Sequence, residues 1–183
     1  MLKAKKGRLL ISEPTLFDET FFKSVILLTH YSKEESIGLI LNKPTKVNLN
    51  EILEEINSDQ FTIYVGGPVG KNSIQFIHTL GNKISKSIEI LEGLYWGGDF
   101  DQVTQLINAG EVTREEMKFF IGYTGWGEEQ LDKEIREESW IVTKGSNEEC
   151  MKHTTSQIWS ELIKTQKNKY AIWTNLPKDP SLN

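Results

Sequence analysis

The sequence predicts an α+β fold with a mixed, mostly antiparallel sheet and flanking helices, and three observations carry that expectation. Strand-like and helix-like segments alternate along the chain. Two pairs of strand candidates are joined by links too short for the long crossovers of a purely parallel sheet. No repeat, low-complexity tract or Pro/Gly/Ser-rich linker divides the 183 residues. One compact domain over residues 1–183 is expected, with residues 1–6 as a flexible arm.

The elements follow in order. Val25–Tyr31 and Ile37–Asn42 are nearly continuous apolar runs across a five-residue polar link, which reads as a hairpin of strands buried on both faces. Pro44 is expected to end the second strand. Asn48 with Glu51 forms a capping-box pattern, and Leu49, Ile52, Leu53 and Ile56 follow at helical spacing, predicting a short amphipathic helix. Strand candidates follow at Phe61–Val65, Ser73–Thr79 and Ser87–Leu91. The turn signal Gly81-Asn82-Lys83 makes the last two a second hairpin. Asp99 with Gln102 opens a helix that Gly110 closes. Met117, Phe119, Ile121 and Tyr123 alternate as one face of a strand. Glu128–Glu138 predicts a charged helix, and Trp140–Thr143 a short strand. Ser146 with Glu149 starts a last helix with Met151, Thr155, Ile158, Trp159 and Leu162 on one stripe.

Composition narrows the function classes. There are 21 Lys and Arg against 26 Asp and Glu, a net charge of −5, which speaks against a chain built mainly to grip phosphate backbones. The single Cys150 forms no intrachain disulfide and suits a reducing compartment. The apolar Leu9-Leu10-Ile11 is too short for a secretory signal, and no run approaches the ~20 residues of a membrane helix. The expectation is a cytoplasmic protein with no membrane span.

The motifs that carry common chemistries fail when their spacing is checked. Val65-Gly66-Gly67-Pro68-Val69-Gly70-Lys71-Asn72 contains a Gly-Lys pair, but Val65 and Asn72 fall where a phosphate loop needs Gly and Ser or Thr. A tight, strand-ending turn fits better. Gly122-Tyr123-Thr124-Gly125-Trp126-Gly127 has the wrong glycine order for a dinucleotide fingerprint. His30, His78 and His153 show no ligand spacing, so no metal and no cofactor is expected, and each reads as a structural histidine. Cys150 reads as inert beside Glu148 and Glu149. The carboxylates on Glu51/Glu54/Glu55 and along Glu128–Glu138 read as solvated faces. Lys3, Lys5, Lys6 and Arg8 form one basic patch and Lys164, Lys167 and Lys169 a second. Of the tryptophans, Trp126 lies in a Gly-rich turn, where partial exposure makes it the first candidate for a binding surface.

Taken together, these segments resemble the YqgE/AlgH family, bacterial proteins with plant relatives that are described as uncharacterised or as transcriptional regulators. The strings that carry the resemblance are Gly7-Arg8-Leu9-Leu10-Ile11-Ser12-Glu13-Pro14, Leu16-Phe17-Asp18, Phe21–Leu28, Gly38–Pro44, Val65–Val69, Ile77-His78, Gly122–Gly127 with Gln130-Leu131 and Glu134-Ile135, and Asp179–Asn183. The resemblance covers nearly the whole chain. It implies a single α+β domain with a bulged, mixed sheet, and it implies no reaction or catalytic residue. Its regulator label stems from a genetic link of one branch to alginate synthesis, whereas this chain shows no helix-turn-helix, basic recognition helix or zinc finger. Thr124 stands where the family often has Ala, and Glu128-Glu129 where it often has Pro-Gly.

The expectation is therefore a non-catalytic regulatory or interaction protein with a protein partner. The candidate ligand or partner surface is Asn42, Gly66, Gly67, Pro68, His78, Tyr123 and Trp126, gathered from strand ends and turns. Replacing Trp126 with Ala is expected to spare folding and remove the partner. The alternative is a small-ligand protein or enzyme using a pocket at those same turns. A third reading is nucleic-acid binding through the two basic patches, which the net charge disfavours.

Overall fold

The computed structural model describes residues 2–16, 18–153 and 157–166. Thr155 of the last expected helix, Phe17, Lys167, Lys169, Trp173 and the 179–183 ending lie outside the described residues. The strands are β1 (Arg8–Ser12), β2 (Val25–Tyr31), β3 (Ser36–Ile40), β4 (Pro44–Asn48), β5 (Thr62–Val65), β6 (Val69–His78), β7 (Ile88–Leu91), β8 (Leu94–Trp96), β9 (Met117–Trp126) and β10 (Trp140–Lys144). The helices are α1 (Phe100–Asn108), α2 (Gln130–Arg136), α3 (Asn147–Met151) and α4 (Ile158–Thr165). The strands form one hydrogen-bonded path in the order β10-β1-β2-β3-β9-β6-β8-β7. Off that path, β4 pairs with β5, and β5 runs parallel to β9 while the other pairs are antiparallel. The mixed, mostly antiparallel α+β sheet predicted from the sequence is the observed one.

β9 organises this sheet because it serves both halves. Its first part pairs with β6 and β5, and its last three residues pair with β3. Strand alternation sends Phe119 to one hydrophobic cluster, with Phe61, Val103 and Ile107, and Phe120 to another, with Leu27, Leu39 and Trp159. Regular alternation would return Gly122 to the Phe120 face, but Tyr123 returns there instead. Gly122 has φ 68 and lies where the register with β6 breaks, β9 spending one residue between Ile121 and Tyr123 against four on β6 between Val69 and Ile74, and beyond it the faces of β9 are reversed. Trp126 therefore lands in a third cluster with Leu10, Ile26, Leu28 and Trp140. The Phe120 cluster is the concave core shared by both halves, and the other two lie outside the curl.

The bulge is held by a backbone crossing. A Cβ on Gly66 would lie 2.2 Å from the Gly122 carbonyl oxygen, and one on Gly67 2.2 Å from the Tyr123 carbonyl. Gly66 N donates to Ile121 O at 2.8 Å, and Gly66 O accepts from Ile40 N at 2.9 Å. The Gly66-Gly67 pair is thus where three strands meet backbone to backbone.

Several elements differ from the sequence reading. The expected helix after Asn48 is one 3₁₀ turn, Leu49–Glu51, because Asn108 pins the following chain: its Oδ1 accepts from Asn57 N and its Nδ2 donates to Glu55 O. Pro44 begins an edge strand rather than only ending one, a position where its missing N–H costs nothing. The sequence marks neither β1 nor β8 as a strand, yet both form. β6 pairs with β8 rather than with β7, so the second hairpin does not form and a 3₁₀ turn occupies Gly81–Lys83. The last helix breaks into α3 and α4 because Lys118 Nζ donates to the Cys150 and Lys152 carbonyls at 3.4 and 2.9 Å. The arm is anchored, since Ala4 is buried in the third cluster and Gly7 N donates to Leu28 O at 2.8 Å.

The crossing should dominate glycine substitutions. Gly66→Ala is expected to cost about 3 kcal/mol or more, because backbone faces its new methyl. Gly110→Ala has open space around its Cβ and should cost only about 1 kcal/mol for its left-handed conformation. Urea unfolding of both variants checks the ranking, and equal losses would contradict it.

Candidate functional site

The seven candidate residues divide in the structure. Gly66 and Gly67 are buried in the crossing, with the Gly66 N–H and C=O both committed to the chain, so this turn is no phosphate cradle. Asn42 is structural: its Oδ1 accepts from Val25 N at 2.9 Å and its Nδ2 donates to Lys23 O at 2.8 Å. His78 stands apart from the rest. It pairs with Met117 at one end of the β6–β9 ladder whereas Tyr123 lies at the other, roughly 20 Å away along β9. Its Nδ1 accepts from Leu80 N at 3.3 Å and its Nε2 faces Ser87 Oγ and Gly97 O, which fits a neutral ring. Burial holds its pKa below the usual value, against the opposing Gly97 hydrogen bond.

Pro68 and Trp126 do meet, in a groove of about 360 Å³ between the end of β9, α2 and the residues Leu16, Asp18 and Phe21. Trp126 is not partly exposed, as its turn suggested, but 4% exposed. It packs edge-on against Trp140 at 6.0 Å. The Nε1 atoms of Trp126 and Trp140 donate to Glu134 Oε2 at 2.8 and 2.7 Å, and Gln130 Nε2 donates to Oε1 at 2.8 Å. The sequence reads Glu134 as part of a solvated helix face, whereas it is the acceptor that fixes both indoles. The signal for it is a carboxylate on a helix lying between two tryptophans in sequence. Because Trp126 is interior, its replacement by Ala should destabilise the fold by roughly 3–5 kcal/mol rather than spare it.

Leu16, Phe21 and Pro68 form apolar walls of this groove, with Asp18, Gln130 and Glu134 as its polar groups. Phe21 is locked edge-to-face on Trp140 at 5.5 Å. Asp18 Oδ1 accepts from Thr20 N and Phe21 N at 2.8 and 3.0 Å, which shapes the loop that carries them. Pro68 also lines an adjoining concavity of about 290 Å³ with Gly67, Lys43 and Lys71. Lys43 Nζ donates to the Glu19 and Thr20 carbonyls, and burial lowers its pKa while Asp18 raises it. The α2 entrance has its own strain: Glu129 has φ 53, a conformation that favours glycine.

The buried titratable pair lies elsewhere. Lys118 is 1% exposed, and its Nζ donates to Leu41, Cys150 and Lys152 carbonyls and sits 4.2 Å from the Tyr64 ring centroid. Burial pulls its pKa down to about 7, and burial pushes the Cys150 thiol up to about 12, so that thiol stays protonated and unreactive. Among the described residues, no group of three or more His, Cys, Asp or Glu is placed to hold a metal ion. Among them too, no helix is long and apolar enough to cross a membrane.

A curled α+β sheet with one strand shared by its two halves, and a fixed groove where that strand ends, defines the structural class. The chain belongs to the AlgH-like family, whose profile matches residues 9–171. A UPF0301 protein of Bacteroides fragilis is 40% identical over 179 residues, covering 97% of this chain and 91% of the relative. Another UPF0301 protein, from Cytophaga hutchinsonii, is 37% identical over 97% of this chain and 98% of its own. The solution structure of the AlgH protein from Pseudomonas aeruginosa superimposes with a TM-score of 0.74 at 24% identity, covering 98% of this chain and 100% of that one. The crystal structure of a Corynebacterium diphtheriae protein does so at 0.76 and 19%, covering 96% and 94%. Both likenesses are of fold.

Lys118 yields a pH prediction. In the unfolded chain its amine returns to 10.5, so between about pH 7 and 10.5 the unfolded state holds a proton that the native state lacks. Stability therefore rises with pH across that window, and the buried charge weighs most below pH 7. Unfolding free energies of the parent and Lys118→Met, measured from pH 6 to 10, should diverge in the parent's favour as pH rises. A constant difference would contradict the assignment.

Proposed function

We propose that this protein is a non-catalytic interaction protein of the cytoplasm that binds a protein partner in the Pro68–Trp140 groove. The observation that carries this reading is that the groove is preformed: Glu134 ties both tryptophans, and Phe21 packs edge-on against Trp140. A recess whose side chains are already immobilised loses little entropy on binding. Its apolar walls beside the Asp18 and Glu134 carboxylates suit a segment presenting an apolar side chain next to a positive charge. Any regulatory role is exerted through such contacts rather than by direct DNA binding, a reading supported by the net charge of −5. The buried, unpaired Cys150 supports the compartment.

The second reading, a small-ligand site, is favoured by volume, since about 360 Å³ lies within the usual range for such pockets. One experiment separates the two. Pro68 is exposed, so Pro68→Arg should leave the unfolding free energy within about 0.5 kcal/mol of the parent. Affinity purification with the parent should recover a protein that Pro68→Arg fails to recover, and that protein should shift the backbone resonances of Gly125–Gln130. Equal recovery by both proteins would overturn the reading, and a small molecule in place of a protein would favour the second.

A further inference from the structure

The groove lies at the Ser12–Trp140 end of the β1–β10 pair, and the other end of that pair carries a separate site. There a concavity of about 400 Å³ is lined by Lys5, Lys6, Arg8 and Lys144, with Ile90 and Leu91 as an apolar wall and, among the described residues, no carboxylate. Arg8 and Lys144 are register partners across the two strands, so two cations project from directly opposite positions on one face. Like charges so placed destabilise a sheet. Arg8 Nε and Nη1 are also out of contact with solvent and have no hydrogen-bond partner among the described residues. Buried guanidinium donors left unpaired are costly. None of the four cations takes part in an ion pair among the described residues.

The backbone shapes the recess around them. A Cβ on Gly7, whose φ is 80, would lie 2.3 Å from the Ile90 carbonyl oxygen, so the β7 end packs directly against the start of β1. The Gly7 and Arg8 N–H groups are committed to Leu28 O and Lys5 O, which leaves recognition to the cationic side chains.

We propose that this recess is an anion site for a phosphoryl group, carried by a small phosphorylated ligand. Four cations without a counter-charge among the described residues match a dianion better than a single carboxylate. An oxyanion that draws the guanidinium outward by one rotamer step gives Nε and Nη1 their missing acceptors, in the two-pronged geometry that phosphate oxygens accept. Ile90 and Leu91 supply a surface for the organic part of the ligand. The site is independent of the groove and of the function proposed there.

Titration of the ¹⁵N-labelled protein with inorganic phosphate and with a phosphate monoester, at low ionic strength, tests this. Saturable shifts are expected at residues 5–8 and 144–145, tighter for the monoester if the apolar wall takes part. Arg8→Met and Lys144→Gln should each weaken binding about tenfold, the scale of one lost charge-assisted contact. Arg8→Met should at the same time unfold no earlier than the parent, because it removes an unpaired buried group, so lost binding cannot be ascribed to lost folding. Absence of saturation at millimolar phosphate, or binding unchanged in both variants, would overturn the proposal. So would salt-sensitive binding of an oligonucleotide at these residues with no response to either phosphate probe.

Discussion

Where β9 passes the Gly66-Gly67 turn, backbones approach more closely than any side chain permits, and the rest of the architecture depends on that approach. A Cβ at Gly66 or Gly67 would meet a β9 carbonyl at 2.2 Å. The contact lets β9 carry β5 and β6 on its first part and β3 on its last. The left-handed Gly122 then turns the strand over, so that Phe120 and Tyr123 face the shared core while Trp126 faces outward onto α2. Without the bulge the alternation of side chains would place Trp126 on the wrong face, and Glu134 would have no pair of indoles to bridge.

Two polar devices complete what the crossing begins. Lys118, inside the curl, directs its Nζ to the carbonyls of Leu41, Cys150 and Lys152, and so ends α3 and joins the β3 side of the sheet to the C-terminal helices. Glu134, outside the curl, does the same for the β9 and β10 ends through Trp126 and Trp140. Each is an ionisable group whose polar atoms meet hydrogen-bond partners, the condition under which burial of such a group is tolerated. The cation cluster at Arg8 and Lys144 lacks such satisfaction, which sets it apart from them.

Much of the fold is legible in the sequence because it rests on local signals. The Val25–Ile40 hairpin, the capped α1 and the Ser146 box are all present, since apolar runs and caps act over a few residues. What sequence reading missed is set by distant groups. Lys118 lies 32 residues from the Cys150 carbonyl it binds, and nothing local to Ser146–Leu162 marks the helix break it causes. The 3₁₀ turn after Asn48 is decided by Asn108, and β8 is placed by its pairing with β6. The Gly-rich strings were visible, yet their use is mutual: Gly66-Gly67 and Gly122 explain one another only when brought together. The candidate surface was half legible for the same reason. Pro68 and Trp126 share a groove, whereas Asn42 and His78 spend their polar atoms holding the scaffold.

The central claim is that the crossing makes the two halves of the sheet one cooperative unit. Native-state hydrogen exchange tests it most directly. The amides of Phe119–Thr124, of β1–β3 and of the β6–β8 ladder should exchange with opening free energies that agree within about 1 kcal/mol, at the value for global unfolding. Opening of the β6–β7–β8 side several kcal/mol below that of β1–β2–β3–β10 would contradict it, because the halves would then unfold separately.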